Sequence, residues 1–77
     1  MTIDPSLLRA TGEALYGPRW QTELARAIHV SDRTVRRWLA GTITIPPGVA
    51  RDLEALCNTR IDEIRDAADR LQRRAAK

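Results

Sequence analysis

Between Ser31 and Gly41 the chain reads SDRTVRRWLAG, setting Arg33, Arg36 and Arg37 among Val35, Trp38 and Leu39. A guanidinium is a planar fork of donors that suits phosphate oxygens and the O6/N7 edge of guanine. On a helix turning about 100° per residue, Val35, Trp38 and Leu39 share one side. Arg33 and Arg37 then fall almost opposite, with the small Ala40 between them, while Asp32 and Arg36 sit on a flank, four residues apart. Two arginines one turn apart beside an alanine would let such a helix enter the DNA major groove. Each bidentate guanine contact there is worth about 1–3 kcal/mol of base discrimination. The plainer reading of the same pattern is a solvated charged face. Asp32 also has two readings, accepting from a cytosine amino group or favouring the positive end of the helix dipole. Arg36 either pairs with Asp32 or reaches a phosphate.

The elements that would hold these side chains are set by breakers at Gly17-Pro18, Val30-Ser31, Gly41 to Pro47 and Asn58-Thr59. No segment between them alternates with period two, so the expected fold is all-α, a compact bundle of about five helices in one domain spanning 1–77. The first helix runs from about Pro5 to Tyr16, capped by Asp4, with Leu7, Leu8, Ala14 and Leu15 inward and Gly12 marking a close approach. The second, about Trp20 to Ile28, buries Leu24, Ala25 and Ile28. The third is capped by Ser31 and stopped by Gly41. Only His29 and Val30 lie between the second helix and that cap, so the two helices must cross steeply as a helix-turn-helix over about 20–40. A polar, β-branched link, Thr42-Ile43-Thr44-Ile45, leads to a fourth helix opened by Pro46-Pro47 and carrying Val49, Leu53 and Leu56 inward. Asn58 is expected to end it and Thr59 to cap a fifth, about Arg60 to Ala75. That helix bears a narrow apolar seam of Ile61, Ile64, Ala68 and Leu71.

Around the third helix, Gln21 falls where free backbone N–H groups open the second helix and favour a phosphate, with Arg19 as its neighbour. Thr34, Thr42 and Thr44 are further candidates for phosphate contact, ordinary loop hydroxyls being the alternative for the last two. Twelve of the thirteen cations are arginine, and the formal net charge is +3. That is modest for a nucleic-acid binder, so the placement of the cations has to decide. A 77-residue chain leaves no room for a second domain, and 30% charged residues with no long apolar run exclude a membrane span. The start, MTIDPSLLRA, has no basic region leading into an apolar one, so a bacterial or phage cytoplasm is the expected setting. Cys57 is the single cysteine and His29 the single histidine, which excludes an internal disulfide and a Cys/His zinc cluster. No cofactor motif, glycine-rich phosphate loop or nucleophile–base pair is present, and no enzymatic activity is expected.

The segment WQTELARAIHVSDRTVRRWLAGTITIPP resembles the helix-turn-helix of phage repressor and Cro-like regulators, the XRE family. Gln21, Leu24, Ala25, Val30, Ser31, Val35, Trp38 and Gly41 carry the resemblance, which extends from Arg19 to about Leu56. It implies a lambda-repressor-like bundle that binds double-stranded operator DNA, usually as a dimer, with its second motif helix in the major groove. By that resemblance base reading falls on Asp32, Arg33, Arg36 and Arg37, and phosphate contact on Gln21. His29 stands where the family often has Gly, which puts a side chain on backbone better suited to glycine. Trp20 replaces the usual Ser or Thr cap and is expected to pack partly buried.

One recognition helix reads only a few base pairs, so two copies on an inverted repeat are expected, their helices about 34 Å apart. The seam Ile61, Ile64, Ala68, Leu71 is the candidate homodimer contact, unless it closes the domain's own core. The function these expectations describe is a repressor that occludes a promoter, in a phage or integrated element by resemblance, with no small-molecule ligand evident. The competing class is a protein-binding module, such as an antiactivator or antitoxin, that uses the seam on a foreign helix.

Overall fold

The computed structural model describes residues 3–75. It contains four helices, α1 (Pro5–Tyr16), α2 (Trp20–Ala27), α3 (Asp32–Ala40) and α4 (Pro47–Ala75), and no strand among the described residues. No helix among them is long and apolar enough to cross a membrane.

The ends of α1 follow from local chemistry. Asp4 accepts from the Leu7 N–H at 2.8 Å, and Pro5 occupies the first turn, where its missing N–H leaves nothing unpaired. Gly17, at φ 83°, closes α1 by donating to the Glu13 carbonyl at 2.8 Å. The inward residues of α1 need correction. Leu8, Gly12 and Leu15 are buried, whereas Leu7 is 51% exposed and Ala14 also faces out. Leu8, Gly12 and Leu15 follow spacings of four and three and share one stripe. Leu7 and Ala14 lie about 100° off it, on a common flank.

The larger correction concerns the fourth and fifth helices, which are one 29-residue rod. Asn58 and Thr59 are mediocre helix formers, each costing roughly 0.7 kcal/mol or less against Ala. Ending a helix there would orphan four carbonyls and then four N–H groups, with a second nucleation to follow. No Gly or Pro follows Gly48 to force that break. At about 1.5 Å per residue the rod is about 43 Å long, and it sets the long axis of a molecule measuring 55 × 24 × 20 Å.

The core gathers Leu8, Trp20, Leu24, Ala25, Val35, Trp38, Ile45, Val49 and Leu53. Ile45, expected in a polar link, is 3% exposed and ties the strap after α3 to the core. Trp20 is buried more completely than expected, at 1% exposure. Its indole lies flat against Gly12, where an added Cβ would overlap the ring atoms Cε3, Cδ2 and Cζ3. The glycine thus lets α1 and α2 approach to the thickness of one aromatic ring. The N-terminal half of α4 packs on this body, and Arg60 is its last anchor. That guanidinium donates to the Leu15 carbonyl at 3.0 Å and stands 5.6 Å from the centre of the Tyr16 ring. It therefore supplies the positive partner that the C-terminal end of α1 favours. Beyond it every described residue of α4 is exposed.

Candidate nucleic-acid interface

The interface is built from the turn upward. At the end of α2 the His29 N–H donates to the Arg26 carbonyl at 3.3 Å and the Val30 N–H to the Ala25 carbonyl at 2.9 Å. This paired closure requires a left-handed residue, and His29 takes that role at φ 62°, the single non-glycine positive φ among the described residues. The glycine expected at such a turn is therefore missing while its backbone shape is kept. Val30 turns inward against the core, and Ser31 starts α3 by accepting from the Thr34 N–H at 3.1 Å. The far end of α3 repeats the closure. Gly41 sits at φ 75°, its N–H donates to the Trp38 carbonyl at 3.1 Å, and the Thr42 N–H donates to the Arg37 carbonyl at 3.0 Å. Nine residues are thus clamped at both ends, and α2, turn and α3 form a helix-turn-helix.

Across α3 the two faces separate as the sequence implies. Val35 and Trp38 are 0% and 3% exposed, with Leu39 half-buried beside them. Arg33, Arg36 and Arg37 are exposed, and among the described residues none of the three is in an ion pair. The ion pairs present lie elsewhere, Arg26 with Glu23, Arg60 with Glu63 and Arg70 with Asp66. Of the two alternatives for Arg36, the pair with Asp32 is not formed. Asp32 instead accepts from the Thr22 hydroxyl at 3.0 Å.

That bond joins the first turn of α2 to the first residue of α3, a contact the sequence reading missed. No local signal could reveal it, because Thr22 and Asp32 meet only once the helices have crossed. Its effect is to bring two helix N-termini side by side. Arg19, exposed, precedes α2 without a side-chain hydrogen bond to cap it, and Gln21, half-buried, lies between Trp20 and the bonded Thr22. The free N–H groups of that turn and the dipoles of both helices give this corner a positive partial charge, which the Asp32 carboxylate offsets in part. Thr34 is half-buried and its hydroxyl is within hydrogen-bonding distance of Ser31, at 3.0 Å, so it already takes part in the cap. Thr42 and Thr44 are exposed on the strap that follows α3. Of the predicted residues, the structure gathers Arg33, Arg36 and Arg37 on one rigid helix and sets Arg19 and Gln21 beside its start.

A family model described as "Bacterial toxin YdaS" matches residues 20–66, more than half of the chain. The chain belongs to this family. The match begins at Trp20, the first residue of α2, takes in α3 and the strap, and ends at Asp66 within the free half of α4. The YdaS segment therefore contains the whole helix-turn-helix and the first two residues of the exposed seam. At the coarse level of a small helical helix-turn-helix protein it agrees with the XRE-type resemblance. No curated protein and no solved structure matches the chain.

Proposed function

We propose that this chain is a sequence-specific DNA-binding regulator that lays α3 in the major groove and silences a promoter by occupying it. The observation that carries the proposal is the state of Arg33, Arg36 and Arg37: exposed and without a carboxylate partner among the described residues. Their helix is fixed from behind by Val35 and Trp38. Arg33 and Arg37 read base edges, Arg36 reaches base or phosphate, and the free half of the Asp32 carboxylate can accept from a cytosine amino group. Arg19, Gln21, Thr42 and Thr44 hold the backbone, with Thr34 limited by its part in the cap. Two copies on an inverted repeat supply the specificity that one helix lacks. On this reading the protein acts in a small regulatory circuit, as in a phage or integrated element.

The test is footprinting over the region upstream of its own gene, repeated with Arg33→Ala and Arg37→Ala. Each variant should lose about 1–3 kcal/mol of preference for the protected site over random duplex, while salt-dependent attraction persists. A footprint unchanged in both variants would end the proposal.

The family's description favours a second reading, that the protein is toxic to the cell producing it. The two readings are linked if toxicity works through promoter silencing. In that case growth arrest on induction is relieved by the same arginine variants. Arrest that survives both substitutions separates toxicity from DNA binding.

A further inference from the structure

We propose that the free half of α4 is a docking surface for an amphipathic helix of a different protein, one whose apolar ridge is flanked by Asp and Glu. The apolar stripe is uncovered, with Ile61, Ile64 and Leu71 at 44%, 60% and 70% exposure. It therefore does not close the domain's own core. With Ala68 these residues are spaced three, four and three, the pattern of a seam that accepts one partner helix. Through Cys57 the stripe runs back into a shallow groove where α4 faces the exposed Leu7 of α1.

The charges beside the stripe choose the occupant. On the wheel the positions flanking the seam are Arg60, Arg65, Ala67, Gln72 and Arg74, and none is acidic. Asp62, Glu63, Asp66 and Asp69 all fall on the remaining, outer positions, where Glu63 pairs with Arg60 at 3.4 Å and Asp66 with Arg70 at 3.2 Å. Arg65 and Arg74 have no carboxylate partner among the described residues.

A second copy fits this surface poorly. An antiparallel pair that sets Ile61 over Leu71 and Ile64 over Ala68 brings Arg65 against its own symmetry mate and Arg60 toward Arg74. A parallel pair sets Arg60 against Arg65. In either direction flanks that should attract repel. A helix with acidic flanks meets Arg65 and Arg74, which have no carboxylate partner among the described residues, with an opposite charge and still covers the apolar stripe. Only Glu54, back in the groove, opposes it. Two copies on an operator then meet through some other surface, and the DNA reading neither requires this inference nor falls with it.

The test uses the full chain and two labelled three-heptad peptides with leucine ridges, one flanked by Glu and one by Lys, followed by fluorescence anisotropy. The Glu-flanked peptide should bind, and the Lys-flanked one should bind about tenfold more weakly or not at all. Ile64→Asp should abolish binding while circular dichroism stays unchanged, because that side chain supports no core contact. The double variant Arg65→Glu, Arg74→Glu should reverse the preference between peptides. Sedimentation of the chain alone should give a monomer. A dimer that Ile64→Asp dissociates would make a second copy the occupant. That result, equal binding of the two peptides, or binding of neither, overturns the proposal.

Discussion

Replacing Gly12 by Ala and Gly48 by Ala makes the same chemical change twice in helices and should give opposite signs. At Gly48 an added Cβ meets nothing within 4 Å, so only backbone propensity acts. Gly to Ala in an open helical site gains at most about 1 kcal/mol, and about half of that is reasonable in the first turn of α4. At Gly12 the same methyl would lie within the indole of Trp20, closer than real Cβ atoms approach anything. The obstacle is the body of the ring, not the tip of a flexible chain, and at 1% exposure the ring has no solvent to swing into. Overpacking of this kind costs about 1–3 kcal/mol, and so large an overlap puts it at the upper end. Subtracting the gain in propensity leaves a net loss of about 2 kcal/mol. At about 4–8 °C per kcal/mol for a domain of this size, Tm should fall by about 8–16 °C in Gly12→Ala and rise by a few degrees in Gly48→Ala. Thermal melts at 222 nm, with tryptophan fluorescence to follow the indole, measure both. A Gly12→Ala protein that melts at or above the parent temperature would refute the packing of α1 on α2 described here.

Further substitutions test the turn at His29, the bond between Thr22 and Asp32, and the anchor at Arg60. His29→Gly should raise Tm by a few degrees, because relief of the left-handed strain, about 1–2 kcal/mol, exceeds the added backbone entropy of about 0.4–1 kcal/mol; a lower Tm would mean that the imidazole makes a stabilising contact. Thr22→Val should cost about 0.5–1 kcal/mol by removing the hydroxyl held by Asp32, and a Thr22→Val, Asp32→Ala cycle should show coupling of the same size. Arg60→Ala should cost about 1 kcal/mol through loss of the bond to the Leu15 carbonyl and the contact with Tyr16, whereas Arg70→Ala, within an exposed i,i+4 pair, should stay within about 0.5 kcal/mol. Chemical denaturation of the pair measures that contrast, and equal effects would mean that Arg60 is no anchor.

The legible parts of the fold were those that depend on chemistry within four or five residues. Asp4, Ser31 and Gly41 specify their helix ends by hydrogen bonds to neighbours, so their roles can be read from residue type and position. The same holds for the outward arginines of α3, whose direction follows once Val35 and Trp38 are assigned inward. Harder were choices between adjacent residues of equal hydrophobicity. Leu7 and Leu8 differ by one helical step, and only the position of α2 decides which is buried. Ile45 was misread for a related reason. Thr42, Ile43 and Thr44 mark a solvent-facing strap, but the fourth β-branched side chain can still turn into a core that lies directly beneath it. The contact of Thr22 with Asp32 lay furthest out of reach, since it exists only through the crossing of two helices.

The missed continuity at Asn58 and Thr59 and the fate of the seam are a single physical fact. A fifth helix beginning at Thr59 could have folded back and buried Ile61, Ile64 and Leu71 against the body, in which case the seam would be core. A rod of 29 residues has no hinge with which to do so. Once α4 is continuous and anchored at Arg60, the next four turns are carried away from the domain with their apolar side outward. Exposed isoleucine and leucine add nothing to the stability of the isolated chain, and neither do Arg33, Arg36 and Arg37, three like charges on one short helix with no carboxylate partner among the described residues. The proposed partners, polyanionic in one case and apolar with acidic edges in the other, would give each surface the favourable contacts that the isolated chain lacks. Under the two proposals the core fixed by Trp20, Leu24, Val35 and Trp38 presents one helix face to DNA and another to a helix with acidic edges.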